Sequence, residues 1–513
     1  EGPSIGGAFP IANWQDAGDG TWTADVPEAR NGTWPGWQLF VGNTRRTRCR
    51  TPNEGYLRST GPLKPRPARN TPEWRDPECR IGFFINPADL GDWPDLDQGN
   101  AVAFHAWTAS IHWLDSLDLG SRTLRFTAGS GWPMGYWEKE QRYIIENVRA
   151  ALDAPGEWYV DRTAGRAYLV PIPGDRLDGF TAVVPVTASL LELRGDLEAG
   201  LTVDHLAFRG LTFEHAAFSL PRDRAHDGQA GVALGAAITT TGARHCSFED
   251  IVIAQVGQYG FWFGPGTRHC RLVRSELADL GAGGVKIGAT ASETETTACS
   301  HNLVENCLIH DGGHLVKAGV GVWIGRSSHH TVRRNRICNL DYSGVSVGWS
   351  WGYAPSTANH NTVEYNHIHH IGNGVLSDMG AIYCLGDSPG TVLRGNLIHD
   401  IVAYSYGGWG LYTDEGSTGI LMEQNIVYNT KSGGFHQHYG KDNILRHNIF
   451  AFSQEPAVIR SREEEHLSFT FEKNVVLVNH GQPLGGNWSN GNFRLDGNLY
   501  WDAAGNAMEF WGY

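Results

Sequence analysis

The segment Val363-Glu364-Tyr365-Asn366-His367-Ile368 carries the motif that decides the fold: an aliphatic residue, two spacers, an asparagine and a return to aliphatic residues. Similar motifs recur along the C-terminal two-thirds of the chain, and their asparagines are Asn306, Asn335, Asn366, Asn396, Asn425, Asn448, Asn474 and Asn498. Successive asparagines are 29, 31, 30, 29, 23, 26 and 24 residues apart. Intervals of this length are typical of the turns of a solenoid.

Each unit also contains a second short run that begins with Gly, as in Gly344-Val345-Ser346-Val347 and Gly434-Phe435-His436. Apolar residues alternate with other residues at a period of two, over runs too short for helices. The sequence therefore predicts an all-β fold, a right-handed parallel β-helix (solenoid) whose coils stack about 4.8 Å apart. We expect the first five asparagines of the series to form a column without a catalytic role.

Residues 14 to 180 lack this repeat. Turn signals between aromatic-rich strands predict hairpins at 14–22, 37–48 and 157–169, and a short helix is expected at 139–152. We therefore divide the chain into three parts: 1–13, the start of the β-helix; 14–180, an inserted β-rich accessory module with a short helix; and 181–513, a parallel β-helix catalytic domain.

The composition limits the partners. A formal net charge of −14 argues against a nucleic acid and weakly against a polyanionic polysaccharide, so neutral sugar polymers are favoured. The 19 Trp suggest exposed aromatic surfaces as well as core. No apolar run has membrane-spanning length, and the chain starts at Glu1 without Met or a signal segment. We expect an extracellular or periplasmic (secreted) monomer without a membrane partner.

The eight Cys show no spacing typical of zinc sites, and we expect no metal ion and no cofactor. Cys246 and Cys270 each end an Arg-His-Cys triplet, 24 residues apart. They are candidates for one position on two neighbouring coils, where either a stacked thiol pair or a disulfide would fit.

The outward positions of the Gly-opened strands are the place to look for a site. Counting two residues from each Gly gives the row Trp262, Lys286, Trp323, Ser346, Ile382, Tyr412 and His436. Aromatic faces and polar groups in one row suit a sugar, although they also suit a simple surface stack. The candidate substrate-binding residues are Trp323, Trp409, Tyr412, His436 and His438.

Acidic residues lie on the same face in two consecutive coils: Asp378 in one, and Asp414 and Glu415 in the next. Cleavage of a glycosidic bond needs one carboxylic acid and one carboxylate, and these residues could supply both. The two aspartates are offset by six residues relative to their Gly openers, about 20 Å along a straight strand. The chain must therefore bend, either around Trp409 or at the turn 414–416, and the remaining offset slightly favours an inverting pair.

Several stretches resemble known right-handed β-helix glycoside hydrolases, notably SDMGAIY at 377–383, GGWGLYTDEGSTGILMEQNIVYNT at 407–430 and GGFHQHYGKDNILRHNIFAF at 433–452. The closest resemblance is to glycoside hydrolase family 141, and a more distant one is to the family 120 β-xylosidases. It covers nearly the whole chain and implies that Asp378 and Asp414 are the catalytic pair. Family 141 includes xylanase and α-L-fucosidase activities, so we expect a xylan-like substrate first and an α-L-fucoside second.

Two other classes remain open. A polysaccharide lyase would use a base such as Lys286, usually with Ca²⁺, but no acidic cluster for a metal ion surrounds it in the sequence. A non-catalytic carbohydrate-binding β-helix would need only the aromatic row.

Overall fold

The computed structural model describes residues 3–65, 67–69 and 71–510. Within it the chain divides into two compact units. The first comprises Glu1–Ile5, Ser189–Glu214 and Ala230–Tyr513, and the second comprises Gly6–Ala188 and His215–Gln229. The expected module at 14–180 lies inside the second unit, whereas the outermost positions of the expected β-helix, 1, 2 and 511–513, lie outside the described residues.

The first unit is a right-handed parallel β-helix, as predicted, with one strand per coil in each of three long sheets. Sheet 1 contains Ser4–Gly6, Thr212–Glu214, Val252–Val256, Glu276–Leu280, Leu308–Gly312, Arg336–Leu340, His367–Ile371, Leu397–Ile401, Ile426–Thr430, Ile449–Ala451, Val475–Val478 and Leu499–Asp502. Sheet 2 contains Leu191–Arg194, Ala236–Thr241, Tyr259–Phe263, Val285–Ile287, Val322–Ile324, Val345–Gly348, Gly380–Leu385, Trp409–Thr413, Phe435–Gln437, Val458–Arg460 and Leu484–Gly486. Sheet 3 contains Ala207–Arg209, Ser247–Glu249, Arg271–Val273, Leu303–Glu305, Thr331–Arg333, Thr362–Glu364, Val392–Arg394, Leu421–Glu423, Asn443–Arg446, Phe469–Glu472 and Arg494–Asp496.

Equivalent side chains of successive coils stack inside the solenoid. In sheet 1, Ile337 pairs with Ile368, which pairs with Ile398, and all three are fully buried. Each coil alone is too thin to bury these side chains, so the core exists only because coils cover one another. Two short parallel pairs at the bends complete the unit: Val203–Asp204 with Ala243–Arg244, and Ser417–Thr418 with Gly440–Lys441.

The asparagine column lies at the bend between sheets 3 and 1. Asn366 donates its backbone N–H and its side-chain amide to Asn396 Oδ1, at 3.1 and 3.0 Å, and Asn396 does the same to Asn425 Oδ1, at 3.0 and 2.9 Å. Each side-chain amide also donates to the preceding coil, as Asn396 does to Val363 O at 3.0 Å. The column runs from Asn335 to Asn498.

Asn306 is not a member of this column, contrary to the prediction. Its backbone is in the left-handed region, at φ 53°, and its side chain is exposed. The next residue, Cys307, occupies the buried position and donates its backbone N–H to Asn335 Oδ1. Asparagine tolerates left-handed backbone conformations, so the same residue type suits both neighbouring positions.

The outer surface of sheet 3 carries a ladder of opposite charges. One register row, read coil by coil, contains Glu305, Arg333, Glu364, Arg394, Glu423 and Arg446. Glu423 accepts hydrogen bonds from Arg394 and Arg446, at 2.7 and 2.8 Å. Opposite charges directly across a strand pair stabilise the sheet, so this row supports the same register as the asparagine column.

The second unit is β-rich, as predicted, and contains three smaller sheets. The largest contains Gly61–Pro62, Gly82–Phe84, Thr123–Phe126, Ala109–Asp118, Asn100–Phe104, Arg142–Glu146, Arg50–Thr51 and Leu57–Arg58. The next contains Gln15–Asp16, Trp22–Asp25, Arg166–Leu169, Glu157–Asp161 and Thr47–Arg48, and the smallest contains Ala8–Ile11, Ala182–Pro185, Phe40–Val41 and Thr44–Arg45. All three predicted hairpins are present.

Helices are short. The α-helix is Pro27–Arg30, and the 3₁₀ segments are Pro72–Arg75, Pro77–Cys79, Leu96–Gln98, Arg149–Ala151 and Gln229–Gly231. The prediction of a helix at 139–152 is wrong, because Arg142–Glu146 is a strand. It pairs with Asn100–Phe104 on one side and with Arg50–Thr51 on the other. Among the described residues, no helix has the length and apolarity needed to span a membrane.

All eight Cys are buried free thiols. Cys246 and Cys270 do occupy equivalent positions on neighbouring coils, and the Cys246 backbone N–H donates to Cys270 Sγ at 3.4 Å. Of the two arrangements considered from the sequence, the structure has the stacked thiol pair.

The column provides a direct test of the fold. We expect Asn396→Ala to lower the free energy of unfolding by about 2 to 5 kcal/mol, because it leaves a buried N–H of Asn366 and a buried carbonyl of Val363 without that side-chain partner. Denaturant unfolding of both proteins measures the difference.

Asn306→Gly is the matched control. It removes an exposed asparagine side chain at a backbone conformation that glycine adopts freely, so we expect a change below about 0.5 kcal/mol. Equal destabilisation by the two substitutions would contradict the structural role of the column.

Candidate active site

The outer face of sheet 2 carries a continuous row of aromatic and polar side chains. The strand register places Trp262, Lys286, Trp323, Ser346, Tyr383, Tyr412 and His436 in this row. Tyr383 stands where the sequence analysis placed Ile382, which is a core residue paired with Leu411. The count failed because Gly380 pairs with Trp409 and not with Gly410, so Gly380 stands one residue before the position of the other opening glycines.

Asp414 follows directly after the strand Trp409–Thr413, at the turn that leaves sheet 2. It is 7% exposed, and both carboxylate oxygens have partners. Tyr383 donates its hydroxyl to Oδ2 at 2.6 Å, and His438 Nδ1 lies 2.7 Å from Oδ1. Asp414 is therefore held in one orientation by residues from the coil before it and the coil after it.

Asp378 lies in the loop that enters sheet 2, just before the strand Gly380–Leu385. Its Oδ1 accepts from the Tyr412 hydroxyl at 2.9 Å and its Oδ2 from the Tyr406 hydroxyl at 3.3 Å. Its carbonyl accepts from the Tyr342 hydroxyl at 3.1 Å, and its N–H donates to Tyr406 O at 2.9 Å. Three tyrosines thus fix the position of Asp378.

The two aspartates converge because the chain bends on both sides of sheet 2. Gly407 and Gly408 have φ of 95° and 79°, in the left-handed region, and Gly416 has φ 78°. A Cβ atom on Gly407 would lie 2.8 Å from the Asp378 backbone nitrogen, so only glycine fits this close approach. The bend near Trp409 therefore lies at the two glycines before it, and the expected turn after Asp414 is also present.

Tyrosines of neighbouring coils bind the two carboxyl groups. Tyr412 donates to Asp378 and Tyr383 donates to Asp414, and these tyrosines pair in the outer row with ring centroids 5.1 Å apart. Asp378 retains some exposed surface, but its carboxyl group is surrounded by protein atoms. This burial, together with the negative charge of Asp414, raises the pKa of Asp378 to about 7, against the opposing hydrogen bond from Tyr412.

The pKa of Asp414 shifts in the opposite direction. Burial alone would raise this pKa, but the hydrogen bonds from His438 and Tyr383 outweigh burial and lower the pKa below its ordinary value. In the pH range between the two pKa values, Asp414 is therefore a carboxylate while Asp378 holds a proton. A pair of carboxyl groups with separated pKa values is the arrangement that acid–base catalysis uses.

The other candidates take different positions. Trp409 and His436 pack against Tyr412, with ring centroids 4.3 and 5.0 Å from it, and burial lowers the pKa of His436 to about 3. Glu415 accepts from the Tyr439 hydroxyl at 3.0 Å. Trp323 is 1% exposed and lies two coils before Tyr383 in the row.

Lys286, the candidate base of a lyase, is not available to a substrate. Its ammonium donates to the carbonyls of Val232 and Leu234, at 2.8 and 2.5 Å, and lies 4.2 Å from the Trp262 ring centroid. Burial lowers its pKa to about 7. Within residues 3–65, 67–69 and 71–510, no group of three or more His, Cys, Asp and Glu has the arrangement of a metal site.

The sequence analysis missed three tyrosines of this site: Tyr342, Tyr383 and Tyr406. A usable signal existed for Tyr383, since aligning GAIYCL with GLYTDE on their tyrosines, and not on their glycines, gives the observed register. Tyr342 and Tyr406 lie in loops, where no strand periodicity marks them.

Comparisons with known proteins agree with this fold. The family model "Right handed beta helix region" matches residues 235–400. A solved structure titled "Glycoside hydrolase" is 19% identical with a TM-score of 0.71, covering 97% of this chain and 83% of its own. XylC in complex with xylose is 11% identical with a TM-score of 0.49, covering 98% and 75%. The periplasmic alginate epimerase AlgG is 13% identical with a TM-score of 0.40, covering 60% and 73%.

The search of the curated proteins finds no match. At 19% identity, the first structural likeness establishes architecture, and function has to be argued from the site. The predicted resemblance to β-helix glycoside hydrolases is confirmed at this level: the chain is a right-handed parallel β-helix protein with the architecture of a solved glycoside hydrolase.

Proposed function

We propose that this protein is a glycoside hydrolase, with Asp378 as general acid and Asp414 as the carboxylate that acts at the sugar carbon. One observation carries this proposal: two carboxyl groups on neighbouring coils are bound by the paired tyrosines Tyr412 and Tyr383, and their surroundings move their pKa values apart. Hydrolysis of a glycosidic bond requires one protonated and one ionised carboxyl group at the same place. A purely structural pair would not need this asymmetry.

In the proposed reaction, the Asp378 carboxyl transfers its proton to the glycosidic oxygen as the bond from that oxygen to the anomeric carbon breaks. The Asp414 carboxylate bonds to the same carbon from the opposite face. Water then replaces Asp414, giving its proton to Asp378, which restores both groups. His438 and Tyr383 hold Asp414 in place throughout.

The substrate that we propose is a neutral plant-type polysaccharide or oligosaccharide, xylan-like first and α-L-fucoside second, as the sequence resemblance implies. Secretion and a monomeric state are also predictions. A lyase is disfavoured because Lys286 is bound to two carbonyls. A non-catalytic carbohydrate-binding protein would have no need of a buried acid beside a carboxylate.

The test is a panel of aryl xylosides, fucosides and arabinosides together with intact xylans. A hydrolase releases a reducing sugar without absorbance near 235 nm, whereas a lyase gives an unsaturated product that absorbs there. Release of an unsaturated product, or of no product from any member, would refute the proposed function.

Substitution of the two aspartates should separate their roles from folding. We expect Asp378→Asn and Asp414→Asn each to lower kcat by at least about 10²- to 10⁴-fold, because each removes a proton donor or a carboxylate from the reacting atoms. Glu415→Gln should have a smaller effect, since Glu415 bonds to Tyr439. Initial rates on the best substrate and thermal unfolding of each variant give the measurement.

Asp442→Asn is the matched control, because Asp442 shares the left-handed backbone of Asp378, at φ 53° and 54°, and has an exposed side chain. A near wild-type rate in either active-site variant would reject that residue as catalytic. A fully inactive Glu415→Gln beside an active Asp414→Asn would exchange the two roles.

The pKa of Asp378 predicts the alkaline limb of the activity profile. Since a general acid must be protonated, kcat/KM should fall as pH rises through about 7, and it should persist at acidic pH because the pKa of Asp414 is lowered. Tyr412→Phe removes a hydrogen bond that favours ionised Asp378, so the alkaline limb should move to higher pH. Tyr428→Phe, which alters a ring stacked on His399 in sheet 1, should not move it. A limb that stays in place in Tyr412→Phe would contradict this assignment.

The tyrosines that bind the two acids also bear on stereochemistry. Tyr412 and Tyr383 pair across neighbouring coils with ring centroids 5.1 Å apart, and each donates to one of the acids. Retaining pairs are about 5 to 5.5 Å apart and inverting pairs about 6.5 to 9.5 Å. We therefore propose a retaining pair, whereas the sequence offset favoured an inverting pair. NMR of the anomer first released decides the matter, and release of the inverted anomer would overturn this prediction.

A further inference from the structure

One tryptophan beside the proposed active site has an exposed ring. Trp351 is 49% exposed, in the segment between the strands Val345–Gly348 and Thr362–Glu364. Among the described residues, only Trp351 and Trp501 are exposed tryptophans, and the other described tryptophans are buried or half-buried. Tryptophan is enriched at binding interfaces, so the exposed Trp351 ring is a candidate for binding a sugar.

The segment around Trp351 is held against the catalytic turn. Gly352 donates its N–H to Glu415 O at 3.2 Å, and a Cβ atom on Gly416 would lie 2.2 Å from Gly352 O. The next residue, Tyr353, donates its hydroxyl to Glu464 Oε2 at 2.5 Å. Trp351 is therefore fixed by both of these neighbours beside the turn that carries Asp414.

A series of neighbouring aromatic rings leads from Trp351 to Tyr383, which binds Asp414. The Trp351 ring centroid lies 5.7 Å from that of Trp349, and Trp349 lies 6.4 Å from Tyr383, whose hydroxyl binds Asp414 at 2.6 Å. The rings belong to the coil before the one that contains Tyr383. A sugar chain that leaves the catalytic pair toward the N-terminal coils would therefore pass over them.

Polar atoms on the same side lack protein partners. Ser346 Oγ and Trp323 Nε1 are buried, and neither has a hydrogen-bond partner within the described residues. Ser346 is 1% exposed and adjoins Tyr383 in the outer row, and the Trp323 ring contacts that of Trp349 at 5.5 Å. A buried polar group without a hydrogen-bond partner destabilises the protein, and sugar hydroxyls could supply partners.

We propose that Trp351 and Trp349, with Ser346 Oγ and Trp323 Nε1 behind them, form a subsite for a second sugar ring, on the side of the catalytic pair toward the N-terminal coils. This subsite rests on the proposed hydrolase function and specifies its substrate as an oligosaccharide chain of at least two rings. Trp351 contributes a ring face on which a sugar can stack, and Ser346 Oγ and Trp323 Nε1 contribute hydrogen bonds.

The first test compares substrates of different length. Trp351→Ala should lower kcat/KM for xylotetraose about tenfold more than it lowers kcat/KM for a 4-nitrophenyl xyloside, through KM more than kcat. Trp501→Ala, which removes an exposed tryptophan on the last strand of sheet 1, should change neither value. An equal loss on both substrates in Trp351→Ala would overturn the subsite.

The second test measures binding without turnover. Xylotetraose is titrated calorimetrically into Asp414→Asn and into the same variant with Trp351→Ala or Trp501→Ala added. We expect about tenfold weaker binding only with Trp351→Ala. Equal affinity of all three, or no binding of xylotetraose by Asp414→Asn, would overturn the subsite. Failure of the hydrolase function would appear separately, as absence of product from the unmodified protein.

Discussion

The hydrogen bonds of the asparagine column fix the register on which the rest of the solenoid depends. Each buried amide accepts from one coil and donates to another, so a coil cannot slip by one residue without leaving polar groups unpaired. Slippage by one residue would also turn every core side chain outward. With register fixed, equivalent side chains lie about 4.8 Å apart along the axis, and an ordered outer row on sheet 2 follows.

The proposed active site uses this register and also departs from it. Strand pairing aligns Tyr383, Tyr412 and His436 in one row. Asp378 and Asp414 instead come from loops at opposite ends of their strands. Glycines at the bends bring the loops together over Tyr412. The regular strands thus position the aromatic residues, and the loops carry the acids. Catalytic residues in enzymes often lie on loops that a rigid scaffold positions.

Burial has opposite consequences for the two acids because their hydrogen bonds differ. Asp414 has strong donors on both oxygens and stays ionised, while Asp378 has longer hydrogen bonds and a negative neighbour, so its proton is retained. The fold alone would not distinguish a hydrolase from other β-helix proteins, since one architecture serves many functions. The difference in environment within one pair of carboxyl groups is what favours glycosidase chemistry.

The repeat made the architecture readable from the sequence, because each coil places the same residue type at the same bend. The candidate acids could also be named, since their motifs are long and lie in consecutive coils. Three features depended on contacts between distant residues. Asn306 lies outside the column because Cys307 takes the buried position, and Tyr383 joins the outer row because Gly380 stands one residue before the position of the other opening glycines. Arg142–Glu146 is a strand because it pairs on both sides. The pKa shifts of Asp378 and Asp414 likewise could not be predicted from the local sequence, because burial and hydrogen bonds from neighbouring coils cause them.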